Sequence, residues 1–228
     1  MRLAVIPARG GSKRVPGKNV RRFAGRPMLA WSVKAALEAG VFDRIVVSTE
    51  DEAIADTARA AGAEVPFRRP PELADDHTPT QPVIAHAIAA LGAAPQDRVC
   101  CIYATAPFLR PEDLRRGDAA LTAGIAYTFA VTSFGFPIQR ALRRDAAGRV
   151  AMIAPEHALT RSQDLEDAWH DAGQFYWAEA ATWAAAGPIF GPASIGLPLP
   201  RHRVQDIDTE EDWRRAELMH AALTASEA

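Results

Sequence analysis

What most restricts this chain is a recurring order: a short run of uniformly apolar residues, a turn, then a segment with helical spacing. The runs are "RLAVIPA", "DRIVVST" and "DRVCCIYA". A strand with one wet face alternates polar and apolar residues. A strand apolar throughout is covered on both faces, as in a parallel sheet with helices above and below. The intervening segments supply those helices. "RPMLAWSVKAALEAG" has Leu29, Val33, Ala36 and Leu37 at helical spacing, Pro27 near its start and Gly40 past its end. "DEAIADTARAAG", "QPVIAHAIAALG" and "RPEDLRRGDAALTAG" read as three more helices. The expectation is an α/β fold, a mostly parallel sheet with helices on both faces.

With 228 residues, 48% of them hydrophobic, the chain can bury a real core and is expected to form a single unit over 1–228. The pattern changes from about residue 130. "PIQRALRRDAAGRVAMI" reads as two strands around an Ala-Ala-Gly turn, "TRSQDLEDAWHD" as polar and irregular, and "AGQFYW" as a strand again. Residues of about 133–172 are thus an excursion from the sheet. At the end, "QDIDTEEDWRRAELMHAAL" carries a capping-box pattern at Thr209 and Asp212, then an inner stripe of Trp213, Ala216, Met219 and Leu223.

A formal net charge of −2 provides no global field for nucleic acid or an anionic membrane. No apolar run approaches the roughly 18 residues of a membrane span, and the first residues form a strand-like run without signal-peptide shape. Cys100 and Cys101 are adjacent in an apolar run, so they point to opposite faces of a strand and fit neither a disulfide framework nor a metal pair. A reducing cytoplasm is the expected compartment.

In such sheets ligands bind beyond the carboxyl ends of the strands. Ser48–Thr49, Tyr103–Pro107 and the loop after the first strand all fall there. That loop places Gly10, Gly11 and Ser12 among Arg9, Lys13, Arg14 and Lys18. Glycines let backbone amides approach oxygens closely and cations neutralise their charge, so the loop suits a polyphosphate. It is not a Walker loop: the spacing before Gly17-Lys18 is off by one, and Asn19 stands where Ser or Thr would hold magnesium. It also lacks the third spaced glycine of the dinucleotide fingerprint. Near the other end, Asp206-Ile207-Asp208 puts two carboxylates on one side of an extended segment. Hard oxygens beside a triphosphate suit magnesium. The alternative use, as acids at a helix start, is weakened because Thr209 already supplies the cap.

Taken together, "IPARGGSKRVPGKN", "FAGRPML", "FDRIVVSTEDEAIADTARAAGAEV", "RPPELADDHTPT" and "QDIDTEEDW" resemble the CMP-N-acetylneuraminate synthetase family, over most of the chain. The resemblance implies a Rossmann-like nucleotidyltransferase fold, CTP and a nonulosonic acid as substrates, magnesium, and a homodimer to which the excursion contributes. It implies that Arg9, Gly10, Gly11, Ser12, Lys13, Lys18 and Asn19 hold the nucleotide with Arg69 and Thr80. It implies that Asp206 and Asp208 hold the metal, with Lys18 and Arg9 joining them in catalysis.

"YATAPF" and "DAGQFYW" depart from the neuraminate pattern and are similar to the branch that activates pseudaminic acid for surface glycan or flagellin glycosylation. Tyr103 stands where neuraminate enzymes carry a sugar-contacting glutamine. On this resemblance Tyr103, Thr105, His170, Asp171, Gln174, Phe175 and Tyr176 line the sugar pocket. Trp177 is divided evenly between pocket and core. Arg161 is the candidate for the sugar carboxylate, since arginine matches it bidentately. The rivals are a neuraminate, legionaminate or Kdo cytidylyltransferase, or a nucleotide-binding module without catalysis. The general base is left open.

Overall fold

The computed structural model describes residues 1–75 and 77–227. Its centre is a six-stranded sheet. The strands, in chain order, are β1 (Arg2–Pro7), β2 (Arg44–Ser48), β3 (Arg98–Ile102), β4 (Tyr127–Ser133), β5 (Trp169–Glu179) and β6 (Ser194–Pro198). Their order across the sheet is β6-β4-β5-β3-β1-β2. All neighbours are parallel except β5, which runs antiparallel to both β3 and β4. The helices are α1 (Met28–Ala39), α2 (Glu52–Ala60), α3 (Thr80–Leu91), α4 (Pro111–Ala120), α5 (Ala180–Ala185) and α6 (Glu210–Glu227).

The sheet is apolar on both sides because each side has its own core. Ala4, Ile6, Cys100 and Ile102 face Leu29, Val33, Ile54 and Leu114 of α1, α2 and α4. Leu3, Val5, Val99 and Cys101 face Ile84, Ala87, Ala180 and Trp183 of α3 and α5. The adjacent cysteines therefore do lie on opposite faces, both free and buried. The inner face of α1 runs through Leu29, Ser32, Val33 and Ala36. Leu37, expected on that stripe, is 47% exposed instead. The buried Ser32 is satisfied by donating to the Tyr103 carbonyl at 2.8 Å.

The excursion is the segment between β4 and β5. Its two strands, Leu142–Arg144 and Val150–Met152, pair antiparallel around the expected turn. Strand β5 begins at Trp169, so the last residues of the expected 133–172 excursion belong to the sheet. Trp177 is core: it is fully buried, stacks on Phe42 with centroids 5.1 Å apart, and donates to the Leu114 carbonyl.

Gly117 of α4 meets this wall. A Cβ there would lie 2.6 Å from Trp177 Cδ1 and 2.7 Å from Phe175 Cε2. Overpacking of this kind costs about 1–3 kcal/mol, so Gly117→Ala should lower the denaturant midpoint without changing the slope. A midpoint equal to wild type would show that the α4–β5 contact yields.

Candidate active site

Two charged motifs from opposite ends of the chain meet because each carries one apolar residue. Val15 sits inside the basic loop and Ile207 between the two aspartates. Both are fully buried in one cluster with Phe23, Met28, Phe108, Trp213 and Ala216. Between Val15 and Lys18 the chain turns, with the Lys18 amide on the Val15 carbonyl at 3.2 Å. Pro16 and Gly17 occupy the two central positions, and Gly17 has φ +63°, as a type II turn requires of its third residue. That turn aims Lys18 Nζ at the Ile207 carbonyl (2.5 Å) and Asp208 Oδ1 (3.5 Å). Arg14 reaches Asp208 Oδ2 at 3.0 Å. The capping box holds the acidic segment from below, with the Thr209 amide on Asp212 Oδ2 at 2.8 Å and the Asp212 amide on Thr209 Oγ1 at 3.2 Å.

Three cavities adjoin this junction. One of about 270 Å³ is lined by Arg9, Ser12, Lys13, Arg14, Lys18, Asn19 and Asp208. A second, of about 290 Å³, shares Arg9, Lys18 and Asn19 with it and extends past Arg69, Thr80, Tyr103 and Thr105. The third and largest, about 740 Å³, shares Asp208 with the first and is lined by His170, Asp171, Arg201, His202, Asp206 and Arg215 among others. A cation-rich groove thus leads through Asp208 into an acid-bearing chamber.

Within the groove, Asn19 is buried and donates to the Arg9 carbonyl at 2.9 Å, tying the loop to itself. Arg69 is buried at 3% exposure and donates to Ser48 through Nε (3.2 Å) and through Nη2 to its carbonyl. Burial draws its pKa down, Glu50 draws it up, and guanidinium stays charged through both. Gly11 is exposed on the loop. Gly10 donates its amide to Glu50 Oε1 at 2.7 Å, while Glu50 Oε2 is buried with no partner among the described residues. A side chain at Gly10 would strike Asp51 Oδ2 at 2.6 Å, and Asp51 caps α2 by accepting from the Ile54 amide.

The chamber gathers only part of the expected sugar-side set. His170 and Asp171 line it. Tyr103 and Thr105 line the second cavity instead, with Arg69 and Thr80. Phe175 is core, packed with Trp177 against α4. Gln174 is buried at 3% exposure and donates to the Arg203 carbonyl at 2.6 Å, so it braces the segment that leads to Asp206. Tyr176 is buried and touches the chamber through its hydroxyl bond to Asp171. Arg161 is exposed on the excursion, paired with Asp164 at 2.7 Å, and lines none of the three cavities.

Residues 3–189 match the family model described as cytidylyltransferase. Pseudaminic acid cytidylyltransferase of Campylobacter jejuni is 41% identical over 96% of this chain and 95% of its own length. The chain belongs to the cytidylyltransferase family. It is therefore a nucleotidyltransferase. CMP-N,N'-diacetyllegionaminic acid synthase of Legionella pneumophila is 46% identical, over 50% of each chain. The fold is shared with a solved CMP:2-keto-3-deoxy-manno-octonic acid synthetase complexed with CTP, at TM-score 0.66, 17% identity, and coverage of 100% of this chain and 99% of that one.

For a cytidylyltransferase the donor set at Asp206 and Asp208 fits a divalent cation. Burial first, then the Asp208 charge, push the Asp206 carboxyl above the usual carboxylate range. Two acids sharing a half-buried site repel, and a hard cation between them removes that repulsion. Among the described residues no group of three or more His, Cys, Asp and Glu is placed to hold a metal, so a cation there would complete its shell with phosphate oxygens and water. The residues sequence reading passed over are Glu50, Arg201, His202 and Arg215. The signal for Glu50 was present in "STED" after β2 and that for Arg201 and His202 in the basic run of "PRHRVQDID", which adjoins the acidic motif, whereas Arg215 sits in α6 with no such mark.

Proposed function

We propose that this cytidylyltransferase transfers the CMP group of CTP to pseudaminic acid. The observation that supports it is the end-to-end similarity to the Campylobacter enzyme, at 41% identity. The anomeric C2 oxygen attacks the α-phosphorus, the bond from that phosphorus to the pyrophosphate oxygen breaks, and the hydroxyl proton is lost. No covalent enzyme intermediate is required. The groove of Arg9, Ser12, Lys13, Lys18 and Asn19 suits a triphosphate with its base toward Arg69 and Thr80. The chamber suits the sugar acid, with Arg201 rather than Arg161 the cation within it that matches the carboxylate. Holding both substrates on either side of Asp208 supplies the orientation on which such a transfer depends. Magnesium held by Asp206 and Asp208 supplies charge neutralisation at the phosphates.

The excursion exposes Phe136 (86%), Leu159 (97%), Val150 and Leu142, side chains with no core of their own. A second copy of the chain is the partner proposed for them, giving a homodimer. No described helix is long and apolar enough to cross a membrane, and the proposed workplace is the cytoplasm.

The test is one assay with three acids. Pseudaminic acid lacks hydroxyls that a neuraminate carries, and each unpaired hydroxyl buried in a site costs roughly 1–3 kcal/mol. The ratio kcat/KM should therefore favour pseudaminic over N-acetylneuraminic acid by tens-fold or more. Equal or better turnover of N-acetylneuraminic or legionaminic acid would refute the sugar assignment.

A further inference from the structure

The anomeric hydroxyl must give up a proton as its oxygen bonds to phosphorus, and the titratable groups around the chamber differ in their freedom to take it. Arg201 and Arg215 are cations without an acceptor. The Asp171 carboxylate is engaged within the protein: Oδ1 accepts from the Gly173 amide at 3.0 Å and Oδ2 from the Tyr176 hydroxyl. Asp212 is engaged likewise, through Oδ1 to Gln205 at 3.2 Å and through Oδ2 to the Thr209 amide at 2.8 Å. Asp206 and Asp208 belong to the metal on the reading above. His170 and His202 remain.

One of these two imidazoles is set up to accept. His170 Nδ1 lies 2.8 Å from the Asp171 carbonyl oxygen. A carbonyl only accepts, so Nδ1 carries the proton, and in the neutral ring Nε2 is left with its lone pair. The ring cannot easily turn away from that bond. Phe134 packs against it with centroids 4.7 Å apart and planes at 58°. The carbonyl it binds belongs to Asp171, whose side chain is held at both oxygens. His202 sits on the short turn Arg201–Arg203, and among the described residues no hydrogen bond sets its tautomer.

We infer that His170 is the general base of the transfer. Its Nε2 takes the proton of the C2 hydroxyl while the oxygen bonds to the α-phosphorus and the bond from that phosphorus to pyrophosphate breaks. The resulting imidazolium returns the proton to water after the products leave. Asp171 is the positioning residue behind it, fixing the tautomer through its carbonyl. The inference rests on the reading above, that the chamber holds the sugar acid.

Two measurements test it. The first needs no substrate. The chain has six histidines, and with histidine labelled by ¹⁵N the His170→Gln variant identifies the ring signals of His170. At mildly alkaline pH its Nδ1 should read as protonated and its Nε2 as bare; the opposite tautomer overturns the proposal. The second is kinetic. His170 is exposed, and glutamine can still donate to the Asp171 carbonyl, so His170→Gln should fold normally by circular dichroism. It should lower kcat about a hundredfold, as loss of a positioned base does, with the KM for CTP near wild type. Wild-type kcat should fall toward acid pH as one group binds a proton. That limb should vanish in His170→Gln and persist in His202→Gln, the other histidine of the chamber. A His170→Gln enzyme that keeps the wild-type kcat, or the wild-type acid limb, overturns the assignment. If wild type turns over another nonulosonic acid instead of pseudaminic acid, the profile is taken with that acid and only the sugar assignment falls.

Discussion

Asp208→Asn is expected to lower kcat at least about a hundredfold while circular dichroism and melting temperature stay near wild type. Charge neutralisation at a transferring phosphate is worth several kcal/mol, and each 1.36 kcal/mol is about tenfold in rate. Asp208 is 40% exposed, so its change to the isosteric amide leaves no buried charge stranded. The residue lines both the cationic groove and the chamber, where the reacting phosphorus and the sugar hydroxyl would meet. Pyrophosphate release measured across a magnesium titration decides the matter. A variant that recovers normal turnover at saturating magnesium would remove Asp208 from the metal site.

Lys18→Ala comes next in size. Lys18 lines both cavities proposed for the nucleotide and also touches the acidic motif, through the Ile207 carbonyl and Asp208. Losing a hydrogen bond to a charged partner costs roughly 1.5–3 kcal/mol, so CTP affinity or turnover should fall about tenfold or more. Calorimetry separates the two. Unchanged affinity together with unchanged catalysis would return the lysine to solvent.

Where sequence reading succeeded, the signal was local. Strands β1, β2 and β3 are apolar on both faces because both faces are covered, and helix ends such as Pro27 and Gly40 announce themselves by residue type. The capping box at Thr209 and Asp212 was equally plain. Where it fell short, the missing information was long-range. A strand buried on both sides reads the same in either direction, so nothing in "AGQFYW" revealed that β5 runs antiparallel.

The sugar-side assignments show the same limit. Gly173, at φ +60°, breaks the two-residue alternation just after Asp171. Phe175 consequently reaches the core, Gln174 a backbone carbonyl and Tyr176 the Asp171 carboxylate. No rule of alternation assigns those destinations. Arg161 was chosen for its chemistry, but the excursion holds it against Asp164, and Arg201 enters the chamber from a segment 40 residues on.

The pairing of Lys18 with the Ile207 carbonyl spans 189 residues. During synthesis on the ribosome, the basic loop emerges 189 residues ahead of the carbonyl that Lys18 binds. Over that interval the loop has neither its counter-charge nor the Ile207 and Trp213 side chains of the cluster that buries Val15. The nascent polypeptide therefore carries a polyphosphate cradle with only one of its walls until the acidic motif and α6 are in place.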